Sequence, residues 1–149
     1  SNIVGTKPIV RMTPDAYGDE SKSFTTLTNI DITNVASEIY LNNIKTITMG
    51  YLDKLDTIAI AVWFMDDGYL YQHGGSLATH NFTAHESRLI ALWLSRRYGT
   101  KEPRLAFDKR CTKYYLAIHT ELARIIAIDI DNIVATIPQM SYKTQWIHQ

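Results

Sequence analysis

Asp66 and Asp67, two adjacent carboxylates followed by Gly68, have the residue types and spacing that could carry out chemistry. Each carboxylate can offer one oxygen to Mg²⁺, while waters and a substrate phosphate complete the octahedron, as in sites that hydrolyse phosphodiesters. Asp-Asp-Gly is also a common turn, so the triplet alone leaves a catalytic and a purely structural interpretation open. Its meaning depends on the elements that position it.

The run from Thr57 to Met65 is apolar on every side and leads directly into the two carboxylates. This composition predicts a helix that is buried on every side, with Asp56 as its N-cap. Its β-branched residues would also allow a buried strand, but two alanines, Trp63 and the methionine favour a helix. The helix ends at the carboxylates, where its dipole disfavours anions, and such a conflict is typical of a functional site.

The residues after the acidic triplet predict a hairpin and then a helix. Strands Tyr69–Gln72 and Ser76–Phe82 flank a turn at His73-Gly74-Gly75. A capping box that starts at Thr83 begins a helix, and Gly99 ends it.

A second hairpin pairs Arg104–Phe107 with Lys113–Ile118, and a last helix runs from about Glu121 to Ala135. Residues 51–137 therefore predict the element order α-β-β-α-β-β-α. Because hairpins pair antiparallel strands, this order predicts an α+β fold with an antiparallel sheet.

The segment before the acidic helix predicts part of the same unit. Strands at Lys7–Met12 and Ser23–Thr28 precede a helix from Asp31 to about Asn43, whose apolar residues recur at intervals of three and four. The order strand, strand, helix repeats the second half of the downstream unit. We therefore expect a partial ββα unit at residues 1–48 and a complete unit at residues 49–149.

The composition indicates an ordinary folded domain of a soluble, intracellular protein. The 149 residues are 46% hydrophobic, which suffices for a core, and no apolar run approaches the length of a membrane helix. The 15 basic residues balance 15 acidic ones, so no net field directs the molecule to nucleic acid or to a membrane. The single Cys111 excludes an internal disulfide and a thiolate metal site, and with the latter a zinc finger. The five histidines have no metal-ligand spacing.

A local patch could nevertheless bind a polyanion. From Arg96 to Lys113 the sequence has seven basic and two acidic residues, a density typical of a phosphate-binding surface. A solvated hairpin with ordinary surface lysines would have a similar composition, so both interpretations stay open. Nearby strand residues have side chains that can reach base edges in a major groove: Tyr71, Gln72, Ser76 and His80.

Three segments in the same order resemble the LAGLIDADG homing endonuclease family. Residues 60–68 resemble the WFMDDG form of its motif, which is found in intron-encoded endonucleases and maturases of organelles. Residues 77–99 are similar to the family's L-T-x-x-F … E … L … F-G stretch, and residues 138–143 to its P-x-M-x-Y-K close. The resemblance covers residues 24–143 and is far more specific than an isolated Asp-Asp-Gly.

The resemblance implies a fold in which a saddle-shaped antiparallel sheet lies over the DNA major groove and two acidic helices meet at a pseudo-twofold axis. It implies that Asp67 is the catalytic residue and that Asp67 and Gly68 form the metal site for Mg²⁺. Asp66 falls at a position that the family does not hold to an acid. The helix–helix interface would be formed by small and aromatic residues of the acidic helix: Ala59, Ala61, Trp63 and Phe64. The nucleic-acid-binding residues would lie on the sheet, the basic hairpin and the closing segment: Tyr71, Gln72, His80, Arg104, Lys109, Arg110, Lys113 and Lys143.

One acidic helix cannot build a centre of two carboxylates. The resemblance therefore implies a second LAGLIDADG-containing chain as partner, which is either a separately encoded N-terminal half or an identical copy. A lone domain that has lost its activity is the third possibility. The partial unit at residues 1–48 favours the separately encoded half, because a homodimer would have to accommodate two such remnants.

Two functions from different classes are favoured, enzymatic activity is undecided between them, and a purely protein-binding scaffold, which the neutral charge balance would also fit, stays open as a third. The first is a site-specific double-stranded DNA endonuclease that uses a divalent metal; the intact Asp67-Gly68 favours it. The second is a catalytically retired protein that binds RNA, either as a maturase or as a structural component of a ribonucleoprotein such as an organelle ribosome. The missing half-site and the neutral charge balance favour the second. The resemblance favours a mitochondrion or another organelle as the location.

Overall fold

A computed structural model of the chain describes residues 9–14, 20–25 and 30–149. The chain divides into two compact units, Ser1–Lys45 and Thr46–Gln149. In the described part of the chain, no helix is long and apolar enough to cross a membrane.

The first unit contains an antiparallel pair of strands, a helix and a very short hairpin. Strand β1 (Ile9–Pro14) pairs with β2 (Glu20–Thr25), and the helix α1 (Ile30–Ile39) follows. Strands β3 (Tyr40–Leu41) and β4 (Ile44–Lys45) then form the short hairpin. The predicted order strand, strand, helix is thus present. Residues 7–8 and 26–28 of the two predicted strands lie outside the described residues.

The helix α1 was predicted to continue to about Asn43, and this prediction is wrong. Asn42 and Asn43 both have positive φ angles, 51° and 62°, which a helix does not permit. Two consecutive residues in this conformation form the tight turn that joins strands β3 and β4. Asparagine is among the residues that adopt it most readily.

The second unit begins with a short helix, α2 (Met49–Leu52), and the acidic helix, α3 (Thr57–Asp66). The side chain of Asp56 accepts a hydrogen bond of 2.8 Å from the Ala59 N–H, which confirms the predicted N-cap of α3. The remaining elements are, in order, β5 (Gly68–Tyr71), β6 (Gly74–Leu77), α4 (Ala84–Tyr98), β7 (Arg104–Asp108), β8 (Lys113–His119), α5 (Thr120–Val134) and two 3₁₀ helices (Pro138–Lys143 and Gln145–His148).

The four strands of the second unit form one sheet in the order β5-β6-β8-β7, and all neighbours are antiparallel. Together with the helices between the hairpins, this sheet confirms the predicted α+β fold with the order α-β-β-α-β-β-α. The capping box at Thr83 and Glu86 is also confirmed, and Gly99 ends α4 with a φ of 64°.

The first hairpin of this sheet is shorter than predicted. Its turn consists of Gln72 and His73, and β6 ends at Leu77 instead of Phe82. The chain after Leu77 leaves the sheet because it forms a turn, in which the Phe82 N–H donates a hydrogen bond of 3.0 Å to the Thr79 carbonyl. This turn carries His80 away from the strand.

The core of the second unit lies between the sheet and the helices α3, α4 and α5. Alternate strand residues such as Leu70, Leu77, Leu116 and Ile118 are buried on that side of the sheet. Residues of the opposite alternation, including Tyr69, Tyr71 and Arg104, are exposed. The sheet therefore has one face packed on helices and one open face of polar and aromatic side chains.

Candidate active site and nucleic-acid interface

The two candidate carboxylates lie at the C-terminal end of α3. Asp66 is the last residue of the helix and Asp67 is its C-cap, with φ −102° and ψ −6°. The Asp67 N–H donates a hydrogen bond of 2.9 Å to the Trp63 carbonyl, and the Asp67 carbonyl accepts one of 2.9 Å from the Ala78 N–H. Both carboxylates are exposed. The backbone of Asp67 is thus fixed between α3 and the end of β6, while its side chain faces solvent.

Gly68 permits a close approach between α3 and β5. A Cβ atom at this position would lie 2.7 Å from both the Cα and the carbonyl oxygen of Phe64, which is closer than real Cβ contacts come. The prediction that Gly68 takes part in a metal site therefore needs correction. It has no side chain to offer, and its carbonyl oxygen accepts a hydrogen bond from the Lys143 ammonium group.

Lys143 was predicted to bind nucleic acid, but its side chain is buried, with 8% of the residue exposed. It lies at the end of the first 3₁₀ helix. Its Nζ atom donates a hydrogen bond to the Gly68 carbonyl oxygen and lies 5.4 Å from the centre of the Tyr142 ring. A cation at the C-terminal end of a helix interacts favourably with the helix dipole. The geometry makes Lys143 a support for the end of α3, whereas a phosphate contact would require an exposed ammonium group.

Asp67 lies in a groove of about 400 Å³ that brings several predicted residues together. His80 comes from the turn after β6, and Lys109 and Arg110 come from the loop between β7 and β8. The acidic and the basic candidates, which are far apart in sequence, therefore face one space. The other residues that line it are Ser76, Ala78, Phe107, Asp108 and Tyr115.

The remaining predicted nucleic-acid-binding residues lie outside the groove. Tyr71, Gln72, Arg104 and Lys113 are exposed on the sheet and its loops. A row of directly paired residues crosses the open face from β5 to β7: Tyr69, Ser76, Ala117 and Arg104.

Tyr69 is a candidate that the sequence analysis missed. It is exposed, and its ring lies 5.4 Å from that of Tyr71 on the same face of β5. The alternation of a strand places residues two apart on one face. Once Tyr71 is predicted to face the nucleic acid, the same alternation predicts that Tyr69 faces it too.

Asp108 was also missed, and it controls the charge of the basic loop. Its carboxylate accepts hydrogen bonds from Arg110, at 3.1 Å from Nε, 2.9 Å from Nη2 and 2.9 Å from the backbone N–H. The Arg110 side-chain hydrogen bonds, and then the backbone one, hold the pKa of Asp108 at about 2. The same contact raises the pKa of Arg110. Part of the positive charge predicted for phosphate contact is thus neutralised within the loop.

The prediction that α3 is buried on every side is wrong. Only one face of the helix can turn toward α5 and the sheet, and Ala61 and Phe64 lie there, 0% and 1% exposed. They belong to the chain's own core and cannot form the predicted helix–helix interface. The opposite face exposes Ile58 and Val62, at 60% and 55%.

The two other predicted interface residues, Ala59 and Trp63, are half-buried. The Trp63 ring packs edge-on against Phe82 at 6.5 Å. Residues 58 and 62 are one helical turn apart, so the open apolar stripe of α3 is centred on them.

A comparison with protein-family models decides the family. The model of the LAGLIDADG DNA endonuclease family matches residues 1–126. The chain belongs to this family. The LAGLIDADG chain also resembles, with a TM-score of 0.70, a solved structure described as the homing endonuclease I-WcaI bound to its DNA recognition sequence. That match covers 95% of this chain and 65% of the other at 19% identity, and it shows a shared fold.

Two curated relatives of this LAGLIDADG chain are named as cytochrome b mRNA maturase bI2. The one from Debaryomyces hansenii is 32% identical over 78 residues, which are 52% of this chain and 30% of the relative. The one from Saccharomyces cerevisiae is 26% identical over 126 residues, which are 80% of this chain and 29% of the relative. The chain thus spans about 30% of the length of these relatives.

Proposed function

We propose that the chain is one half of a LAGLIDADG endonuclease that cleaves specific double-stranded DNA sites with a divalent metal. The observation that carries this proposal is the position of the exposed Asp67 carboxylate in one groove with Lys109 and Arg110. Metal-assisted phosphodiester hydrolysis uses a carboxylate that holds a cation. Basic side chains beside it contact the phosphates of the substrate.

The donors at the end of α3 fit Mg²⁺, which prefers carboxylate oxygens and keeps several waters. When bound, the metal would lower the pKa of a coordinated water and neutralise charge that develops on the phosphate. Asp67 would hold it, and the two backbone hydrogen bonds of Asp67 would fix the direction of the carboxylate. Lys109 would contact the DNA backbone beside it.

A second LAGLIDADG half would complete the site, because a single carboxylate leaves half of the catalytic centre unbuilt. The exposed stripe at Ile58 and Val62 is the surface on which the partner helix would pack, in place of the predicted Ala61 and Phe64. Burying an exposed isoleucine or valine contributes about 1.5–3 kcal/mol each. The partner would be a separate N-terminal half, a second copy, or another segment of a longer protein. Residues 1–48 would then be the partial first repeat.

The experiment that tests the proposal is a cleavage selection with a randomised double-stranded DNA library. The chain is expressed with a second LAGLIDADG half and also alone, and the cut ends are sequenced with and without Mg²⁺. Asp67→Asn should abolish cleavage while DNA retention changes little, because the substitution removes a metal ligand and keeps the shape. Asp66→Asn, the neighbouring exposed acid, is the matched control and should still cut. Cleavage that survives Asp67→Asn would refute the assignment.

The maturase names of the two curated relatives favour one alternative, in which the chain binds RNA without cleaving DNA and works in a mitochondrion or another organelle. In that case Asp67→Asn should leave RNA binding unchanged. Lys109→Ala should weaken it and reduce the dependence of affinity on salt concentration, because fewer counterions are released. Equal RNA affinity and salt dependence in Lys109→Ala would count against this alternative.

A further inference from the structure

Three potential metal ligands of different chemistry meet at the edge of the basic loop. The ligand atoms of His80, Asp108 and Cys111 all lie within 4.8 Å of one another. They offer an imidazole nitrogen, a carboxylate oxygen and a thiol sulfur. Among the described residues, no other group of three such side chains is this close.

The hairpin loop itself brings Asp108 and Cys111 together. Asp108 ends β7, and its carboxylate accepts the Arg110 N–H at 2.9 Å, so the chain turns sharply. Thr112 continues the turn with a φ of 56°, and the Cys111 Sγ lies 3.9 Å from the Asp108 carbonyl oxygen. Two ligands separated by two residues in a tight turn have the spacing of the chelating loops in structural zinc sites.

His80 reaches the loop from a different part of the chain. The turn after β6 places its ring 6.4 Å from that of Tyr115, in the groove that Asp108 also lines. Its Nε2 atom is buried and has no hydrogen-bond partner. A buried nitrogen without a partner carries a desolvation cost that a metal ion would remove.

We propose that His80, Asp108 and Cys111 form a Zn²⁺ site, separate from the Asp67 carboxylate. Zinc accepts this mixture of nitrogen, oxygen and sulfur, whereas Mg²⁺ disfavours a thiolate. Ligand atoms of a tetrahedral zinc site are about 3.5 Å apart, so small side-chain rotations, above all of the exposed Cys111, would close the cluster. The single cysteine of the sequence was taken to exclude a thiolate site, but one thiolate is enough when the fold brings a histidine and an aspartate beside it.

Zinc and Arg110 would compete for the same carboxylate. Without the ion, Asp108 accepts three hydrogen bonds from Arg110. The Arg110 side chain is 89% exposed. An ion that is coordinated by the Asp108 oxygens would weaken the Asp108–Arg110 pair and release the guanidinium group toward the groove. The metal site itself does not depend on the proposed endonuclease activity.

The test is a direct measurement of metal binding by the 149-residue chain under reducing conditions. We expect one Zn²⁺ per chain after dialysis, and a Co²⁺ complex with the absorption of tetrahedral thiolate ligation. Cys111→Ser and His80→Gln should each weaken zinc binding by about tenfold or more. Arg110→Ala should strengthen it several-fold, because the competitor for Asp108 is gone.

His148→Gln is the matched control, because His148 forms an exposed pair with Asp131 at 3.0 Å, another place where a metal could bind adventitiously. It should leave zinc affinity unchanged, and circular dichroism should show that every variant is folded. Zinc binding that is absent from the unmodified chain, or equal in Cys111→Ser, would overturn the proposal. An unchanged affinity in Arg110→Ala would place the ion away from Asp108 and overturn the three-ligand site.

Discussion

The ammonium group of Lys143 donates a hydrogen bond to the carbonyl oxygen of Gly68, 75 residues earlier in the chain. This contact joins the first 3₁₀ helix (Pro138–Lys143) to the point where α3 passes into β5. The Trp146 Nε1–H in turn donates to the Lys143 carbonyl at 3.1 Å. The end of the acidic helix is therefore held by a segment that follows all four strands of the sheet in the sequence.

Lys143→Met should destabilise the second unit while keeping most of the apolar volume of the side chain. The substitution removes a hydrogen bond from a charged donor, which contributes about 1.5–3 kcal/mol, and leaves the buried Gly68 carbonyl unpaired. Chemical denaturation measures the change in the free energy of unfolding. Lys113→Met, at an exposed position, is the control and should stay within about 0.5 kcal/mol of the unmodified chain. Equal stability of the two variants would contradict the role given to Lys143.

Gly68→Ala should cost about 1–3 kcal/mol of stability, because its Cβ would overlap the backbone of Phe64 and push α3 away from β5. Gly50→Ala provides a matched control: Gly50 lies in α2, and a Cβ there would meet nothing within 4 Å. That change should be neutral or stabilise by up to about 1 kcal/mol. Thermal and urea unfolding of both variants checks the prediction, and a similar loss at both positions would contradict the close approach at Gly68.

The order of the elements in the second unit could be predicted because local signals were strong. The capping box at Thr83, the αL glycine at Gly99 and the turn-separated strands each report on a few neighbouring residues. The end of α1 was missed although Asn42 and Asn43 are typical turn residues. The apolar residues before them keep a helical spacing up to Tyr40, and this spacing predicted a longer helix than the one that forms.

The faces of α3 could not be predicted from its own sequence. A helix that is apolar all round gives no periodic signal, so the side that meets α5 is fixed by tertiary packing alone. For the same reason Phe64 was assigned to an outer interface although it is in the core. The position of Lys143 likewise depends on where the chain returns in space, since its contact with Gly68 spans 75 residues.

Glu86 should make the stability of the second unit depend on acid pH. Burial raises its pKa, but hydrogen bonds from the Ile47 N–H, at 2.9 Å, and from Thr83 outweigh burial and lower it below the ordinary value of 4.5. A lowered pKa in the folded state means that the carboxylate stabilises the fold above the unfolded pKa. This contribution is lost as the pH falls through the folded pKa.

Glu86→Gln should therefore cost about 1–2 kcal/mol at neutral pH, and the difference from the unmodified chain should shrink below about pH 4. Urea unfolding at a series of pH values measures it. Glu121→Gln, an exposed acid in the first turn of α5, is the control and should have a smaller effect. A difference that stays constant down to pH 3 would show that the Glu86 charge is not the cause.

Val62→Glu should leave the fold intact and abolish association with a second LAGLIDADG half. Val62 is 55% exposed on the open stripe of α3, so a carboxylate there remains hydrated in the isolated chain. In a complex it would be buried against an apolar helix, at a cost of several kcal/mol. Sedimentation of the chain alone and with the second half measures association. Ile128→Glu, an equally exposed isoleucine on α5, is the control and should associate normally. If Val62→Glu associates as well as this control, the partner does not pack on α3, and the two-helix centre proposed here cannot form.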